Sequence, residues 1–149
     1  PKSLNALATL MMLVEERKQA GKKDVLGEEA SALPAADKAL ELGTEVQTEL
    51  VGRPVAGPLF DFAPIANIFL QKHLFGDVFA RGLFSLKERE LLTLALLANL
   101  PGAEPQLKSH VAIALNTGVT EAEMSELAEL LRQRVGLKAS QRLTAASHD

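Results

Sequence analysis

Residues 85–120 read SLKERELLTLALLANLPGAEPQLKSHVAIALNTGVT, and this stretch decides the fold class. Ser85 followed three residues later by Glu88 forms a capping box, which predicts the start of a helix that extends to the Pro-Gly pair. The run 91–97 is apolar on every side, so we expect this helix to be central and buried. A second helix is predicted over 104–118, where the final glycine is a natural C-cap.

Helical signals continue on both sides of this stretch. Thr120 and Glu123 make a second capping box, and no segment alternates with the period of a strand. Further helices are predicted over about residues 4–20, 36–50, 120–135 and 138–147. We therefore predict an all-α protein, a compact bundle of about six to seven helices.

The window 53–84 contains three prolines and all six phenylalanines of the chain. After a loop, we expect one helix to about Leu74 and a shorter one after Gly76. The phenylalanines predict a Phe-rich core, and the alternative is that some of them line a pocket. They are Phe60, Phe62, Phe69, Phe75, Phe79 and Phe84.

Composition excludes several classes of protein. The 149 residues fit one domain, and the absence of cysteine excludes disulfides, thiolate metal sites and thiol peroxidase chemistry within this chain. A net charge of −3 and 4% aromatic residues argue against nucleic-acid binding. The longest apolar run is about half of the roughly 20 residues that a membrane helix needs, so we expect a soluble, cytoplasmic protein without a membrane partner.

His110 is the strongest candidate for chemistry. It shares a predicted helix face with Leu107, Val111 and Ala114. One interpretation is a hydrogen-bonded histidine of the core, and the other is a desolvated imidazole that transfers protons. Metal binding is not predicted, because the three histidines show no His-x-x-His or His-Glu-x-x-His spacing.

Two charged groups accompany His110. Glu88, Arg89 and Glu90 open the central helix, where acidic residues favour the helix dipole but a permanent cation also suits a substrate carboxylate. His73 and Arg81 flank Asp77 at spacings of four residues, so on one helix they would form a stripe. An ion-pair face is the simpler explanation of that stripe, and substrate binding is the alternative.

Three segments resemble the carboxymuconolactone decarboxylase family. They are FGDVFAR at 75–81, KERELLTLA at 87–95, and EPQLKSH at 104–110 continuing through ALNTGVT at 114–120 to Glu123 and Glu126. The third is the most specific, and the resemblance covers about residues 40–136. It implies an all-helical, alkylhydroperoxidase D-like fold that assembles as trimers or hexamers. In the peroxidase relatives a Cys-x-x-Cys-x-x-x-His motif carries the redox chemistry, and here Ala103 and Gln106 stand where the cysteines would be, so the resemblance points to the cysteine-free decarboxylase branch.

The resemblance implies decarboxylation of a small carboxylated lactone, in aromatic-compound catabolism and without a cofactor or metal. We expect a carboxy-lyase in which His110 donates or relays the proton and Glu90, or else Glu88, orients it. Arg89, with Arg81 and His73, would bind the carboxylate of the substrate. The alternative is a non-catalytic oligomeric or small-molecule-binding member of the same fold. The two differ in whether Arg89, Glu90 and His110 converge on a cavity.

The resemblance also suggests the organisation of the chain. Residues 1–20 look like the helix that closes a preceding family unit, 21–35 are predicted to be a linker, and 36–149 form the decarboxylase-like domain. The first helix carries a long apolar face, which leads us to expect a homo-oligomer. That face consists of Leu4, Leu7, Met11 and Val14.

Overall fold

The computed structural model describes residues 2–148, which contain eight α-helices and no strand. The helices are α1 (Lys2–Gln19), α2 (Ala39–Val51), α3 (Pro58–Phe62), α4 (Pro64–Phe69), α5 (Leu86–Ala98), α6 (Glu104–Asn116), α7 (Glu121–Arg134) and α8 (Leu137–His148). A π-helical segment (Leu70–Val78) and a short 3₁₀ turn (Phe79–Arg81) follow α4 directly. The predicted all-α fold is confirmed, and the number of helices is close to the six or seven expected.

Helices α5 to α8 form a bundle around one hydrophobic core. Both predicted capping boxes are present. The side-chain oxygens of Ser85 and Thr120 accept hydrogen bonds from the backbone amides of Glu88 and Glu123, and the side chains of these glutamates accept hydrogen bonds from the backbone amides of Ser85 and Thr120. These boxes fix where α5 and α7 begin. The core residues of the bundle are Leu94, Ala98, Leu107, Val111, Ala114, Val119, Met124, Leu131, Ala139 and Leu143.

The prediction that α5 is buried on every side was wrong for the single chain. Its inner face carries Glu90, Leu94 and Ala98, spaced four residues apart and buried. Its outer face exposes Leu92 and Leu96, the latter with 67% of its surface open. An apolar sequence shows that a face avoids water, but it does not say whether the same chain covers that face.

Helix α2 packs against the π-helical segment at the distance of backbone contact. A Cβ atom on Gly43 would lie 1.7 Å from the carbonyl oxygen of Gln71, and one on Gly76 would lie 2.2 Å from that of Ala39. The amide of Gln47 bridges the interface, donating to Asn67 Oδ1 at 3.0 Å and accepting from Gln71 Nε2 at 2.9 Å. Glycine at both positions is therefore a requirement of the packing.

Two predictions for the phenylalanine window were also wrong. The chain does not break at Gly76, because the π-helical turns carry it through this residue to Val78. The phenylalanines are not core residues: none is buried, and Phe62 is 90% exposed. Phe75 and Phe79 instead meet edge to face, with their ring centres 5.4 Å apart.

Helix α1 contributes no buried residue to the structure. Its leucines and methionines are exposed on all sides, and residues 20–38 join it to α2 without a regular helix. Among residues 2–148, no helix combines the length and the hydrophobicity needed to cross a bilayer.

Candidate functional site

The structure joins His110 of α6 to Glu90 of α5. His110 Nδ1 lies 2.7 Å from Glu90 Oε2, across a separation of 20 residues. Glu90 is completely buried, while the His110 side chain keeps 28% of its surface exposed. The pair therefore connects a carboxyl group in the protein interior with an imidazole that reaches the surface.

Helix geometry explains this meeting. Glu90 occupies the first position of the buried face of α5, in line with Leu94 and Ala98. His110 lies beside Val111 and one turn from Leu107 on α6, at the edge of the core rather than within it. Since α5 and α6 are packed neighbours, the two polar groups face each other at the margin of the apolar contact.

The hydrogen bond also selects a tautomer. A Glu90 carboxylate accepts the proton of His110 Nδ1, which leaves Nε2 as the nitrogen that can exchange protons with a ligand. Within residues 2–148, no hydrogen bond involves this nitrogen. The second carboxyl oxygen, Glu90 Oε1, is buried and also has no hydrogen-bond partner in the described chain. A buried acceptor without a partner gains free energy from a hydrogen-bond donor, such as a water or a ligand hydroxyl.

Arg89 immediately precedes Glu90 on the first turns of α5. Its Nη2 donates to the carbonyl of Gly82 at 2.7 Å, and its guanidinium lies 5.2 Å from the ring centre of Phe79 and 6.0 Å from that of Phe84. Burial lowers the pKa of the Arg89 guanidinium. Its Nε is buried without a hydrogen-bond partner, and no acidic side chain of residues 2–148 forms an ion pair with it. This is a cation without a counter-charge, held by aromatic rings.

The other residues singled out from the sequence lie in different environments. Glu88 Oε2 accepts from the backbone and hydroxyl of Ser85, both at 2.8 Å, so it serves as the cap of α5. His73 is exposed and contacts Asp77 at 3.1 Å. Arg81 points toward the linker and donates to the carbonyl of Ser31 at 2.8 Å. Glu90 and His110 are thus the two predicted residues that the structure joins directly, and Arg89 is the sequence neighbour of Glu90.

Three depressions in the surface of the described chain lie elsewhere. One follows α1, one lies among α6, α7 and α8, and one lies between α6 and α8. Neither the Glu90–His110 pair nor Arg89 lines any of them. No group of three or more His, Asp or Glu side chains within residues 2–148 is arranged to hold a metal ion.

Sequence reasoning missed the surroundings of Arg89. Gly82 accepts its hydrogen bond, and the next residue, Leu83, has a φ of +67°. A glycine just before a capping box is a recognisable sign of a turn, but leucine gives no sign of a positive φ, which it rarely adopts. The buried amide of Gln47 was also missed, although it falls on the face of α2 that carries Gly43 and Leu50.

Comparisons with known proteins identify relatives of this chain. The sequence profile of the carboxymuconolactone decarboxylase family matches residues 67–148, from α4 to the end of α8. The chain is also 34% identical over 110 residues to the 4-carboxymuconolactone decarboxylase of Acinetobacter baylyi, covering 71% of this chain and 79% of that protein. The matched region contains Arg89, Glu90 and His110. The chain belongs to the carboxymuconolactone decarboxylase family.

Proposed function

We propose that this protein decarboxylates a small carboxylated lactone, with the Glu90–His110 pair handling the proton. The observation that carries the proposal is the 2.7 Å bond between a fully buried carboxyl group and a partly exposed imidazole. A core that needed only packing would not require a carboxyl group at this position, because burying one is costly unless it is paired. The arrangement suits an imidazole whose tautomer and orientation are fixed from the inside.

Arg89 supplies the charge that an anionic substrate requires. A guanidinium against two aromatic rings, with a buried Nε that lacks an acceptor, gains free energy when a carboxylate binds. Successive residues of a helix point about 100° apart. A ligand that contacts both Arg89 and His110 therefore lies across the first turns of α5, and a compact lactone suits this better than an extended chain.

The chemical step follows from these positions. The bond between the lactone ring and its carboxylate carbon breaks, carbon dioxide leaves, and the electron pair remains on the ring and is delocalised into the lactone. His110, protonated at Nε2, donates that proton to the ring carbon and is reprotonated from solvent. Glu90 stabilises the imidazolium through Nδ1. Negative charge moves from the carboxylate to the lactone oxygen atoms, so Arg89 stabilises the transition state if it lies near both.

A second candidate is a non-catalytic member that binds small molecules. It is favoured by the three surface depressions, none of which is lined by Arg89, Glu90 or His110. It is disfavoured because, of these three residues, only Glu90 is enclosed in the core. His110 reaches the surface, and Arg89 has no acidic partner in the described chain.

The test is carbon dioxide release from 4-carboxymuconolactone by the full chain and three variants. Glu90→Gln keeps the shape of the side chain but removes its charge, and Arg89→Met removes the proposed anion site. Each should lower turnover by about a hundredfold or more. Arg134→Met, at the exposed end of α7, removes the same charge elsewhere and should leave turnover unchanged. An inactive wild-type protein that still binds the lactone would favour the second candidate.

A further inference from the structure

The turn that precedes α5 has an unusual conformation at Leu83. Its φ of +67° is the only positive value at a non-glycine residue within residues 2–148. The amide of Phe84 donates to the carbonyl of Gly82 at 2.9 Å, so Leu83 is the central residue of a γ-turn of the rarer, strained hand. Leucine is disfavoured at positive φ because its Cβ meets the backbone.

Packing of the Leu83 side chain does not explain this strain. The residue is 54% exposed, so little burial offsets the cost of its backbone conformation. A strained backbone persists where its surroundings fix it, and such residues concentrate at functional sites. The cause must therefore lie in what the turn presents to its neighbours.

The turn presents the carbonyl of Gly82 to Arg89. That oxygen accepts both the amide of Phe84 and Nη2 of Arg89, the latter at 2.7 Å. The ring of Phe84 then lies 6.0 Å from the same guanidinium. The γ-turn thus contacts Arg89 at two points, through the carbonyl of Gly82 and through the ring of Phe84.

The other side of the turn is fixed by the linker. The amide of Ser31 donates to the carbonyl of Arg81 at 2.9 Å, and Arg81 Nε donates to the carbonyl of Ser31 at 2.8 Å. This reciprocal pair holds the residue immediately before Gly82. Because both ends are held, the peptide between Gly82 and Leu83 cannot rotate to the relaxed conformation without losing the contact to Arg89.

We propose that the strained γ-turn Gly82–Phe84 is a positioning element that holds the Arg89 guanidinium in the orientation that binds the carboxylate of the substrate. The proposal rests on the anion-binding role proposed above for Arg89. With Nη2 held by Gly82, the plane of the guanidinium and its remaining N–H groups keep a fixed orientation. Fixing a cation before the ligand arrives reduces the entropy lost on binding.

The experiment measures binding of paraconate, a saturated γ-lactone with one carboxylate, by calorimetry on the full chain. γ-Butyrolactone, which lacks the carboxylate, is the reference ligand. Leu83→Pro forces φ to about −65°, which abolishes the turn. The loss of the backbone N–H removes no hydrogen bond, because the Leu83 amide donates none within residues 2–148. We expect it to weaken paraconate binding by about tenfold or more, since a bond to a charged group is lost.

Two further substitutions at Leu83 separate the turn from the side chain. Leu83→Gly adopts a positive φ without strain, so it should keep the affinity within about twofold while raising the melting temperature. Leu83→Val resists a positive φ more than leucine does, so it should bind paraconate more weakly than Leu83→Gly. The comparison of Leu83→Gly with Leu83→Val tests the positioning role of the turn even if Leu83→Pro does not fold. Leu26→Pro, at an exposed linker leucine, is the matched control and should bind like the wild type.

The failure of this inference differs from the failure of the proposed function. If the wild type does not bind paraconate, or if Arg89→Met binds it equally well, then the anion site itself is wrong and the positioning role falls with it. If Arg89→Met weakens binding while Leu83→Pro and Leu83→Val do not, only the positioning role is overturned. In an Arg89→Met background, Leu83→Pro should change the affinity by less than about twofold, because the group that the turn positions is gone.

Discussion

Removing the imidazole of His110 should destabilise the protein through Glu90. In His110→Ala, Oε2 of a fully buried carboxyl group loses its 2.7 Å partner, and Oε1 already has none in the described chain. Breaking a buried pair costs about 3–5 kcal/mol. We expect about 3 kcal/mol, the lower end, because His110 is 28% exposed and water can enter the space it leaves. For a chain of 149 residues this lowers the melting temperature by roughly 10 °C.

The assay is thermal and urea unfolding of His110→Ala, Glu90→Gln and the double variant at neutral pH. Glu90→Gln replaces the charge with a neutral amide, which is less costly to leave unpaired. The double variant should therefore be more stable than His110→Ala alone. A His110→Ala protein that loses less than about 1 kcal/mol and is not improved by Glu90→Gln would refute the buried pair as described.

Three further predictions follow from other parts of the chain. Gly43→Ala should destabilise the protein by about 3 kcal/mol in urea unfolding, because its Cβ would lie 1.7 Å from the Gln71 carbonyl, whereas Gly27→Ala, with nothing within 4 Å, should be neutral. Hydrogen bonds from Lys87 and, next in size, from the backbone amide of Thr120 lower the pKa of Glu123 to about 2. Its contribution to stability is therefore present above pH 4.5 and lost as the pH falls toward 2, and Glu123→Gln should flatten acid unfolding in this range. The exposed apolar faces of α1 and α5 should assemble the protein into a trimer or hexamer; light scattering that shows a monomer would contradict this, and Leu96→Glu should weaken the assembly.

Local chemistry made much of the fold predictable. Capping boxes at Ser85 and Thr120 involve residues three positions apart, so the starts of α5 and α7 could be inferred without knowing the tertiary structure. The π-helical segment could not be inferred in this way. It depends on Gly43 and Gly76, which lie on different elements and become informative only when the two backbones meet.

The candidate site was predictable in part, because two of its residues stand out in the sequence. His110 stood out as a polar ring on an apolar helix face. Glu90 was preferred over Glu88 because its spacing to His110 resembles the acid-to-histidine spacing of the cysteine-bearing relatives. Periodicity alone would not separate these two glutamates, but the structure shows Glu88 in the cap and Glu90 in the core. The turn at Leu83 lay beyond sequence reasoning, because the contacts around it, from Arg89 to Gly82 and from Ser31 to Arg81, are visible only in the tertiary structure.

The central claim is that His110 transfers a proton, and His110→Asn tests it most directly. Asparagine can still donate one hydrogen bond to Glu90, but it cannot carry a proton near neutral pH. Turnover of 4-carboxymuconolactone and thermal stability are measured on the same preparation. We expect a variant that unfolds close to the wild-type temperature and has lost turnover by about a hundredfold or more. A stable His110→Asn protein with wild-type turnover would remove His110 from the mechanism.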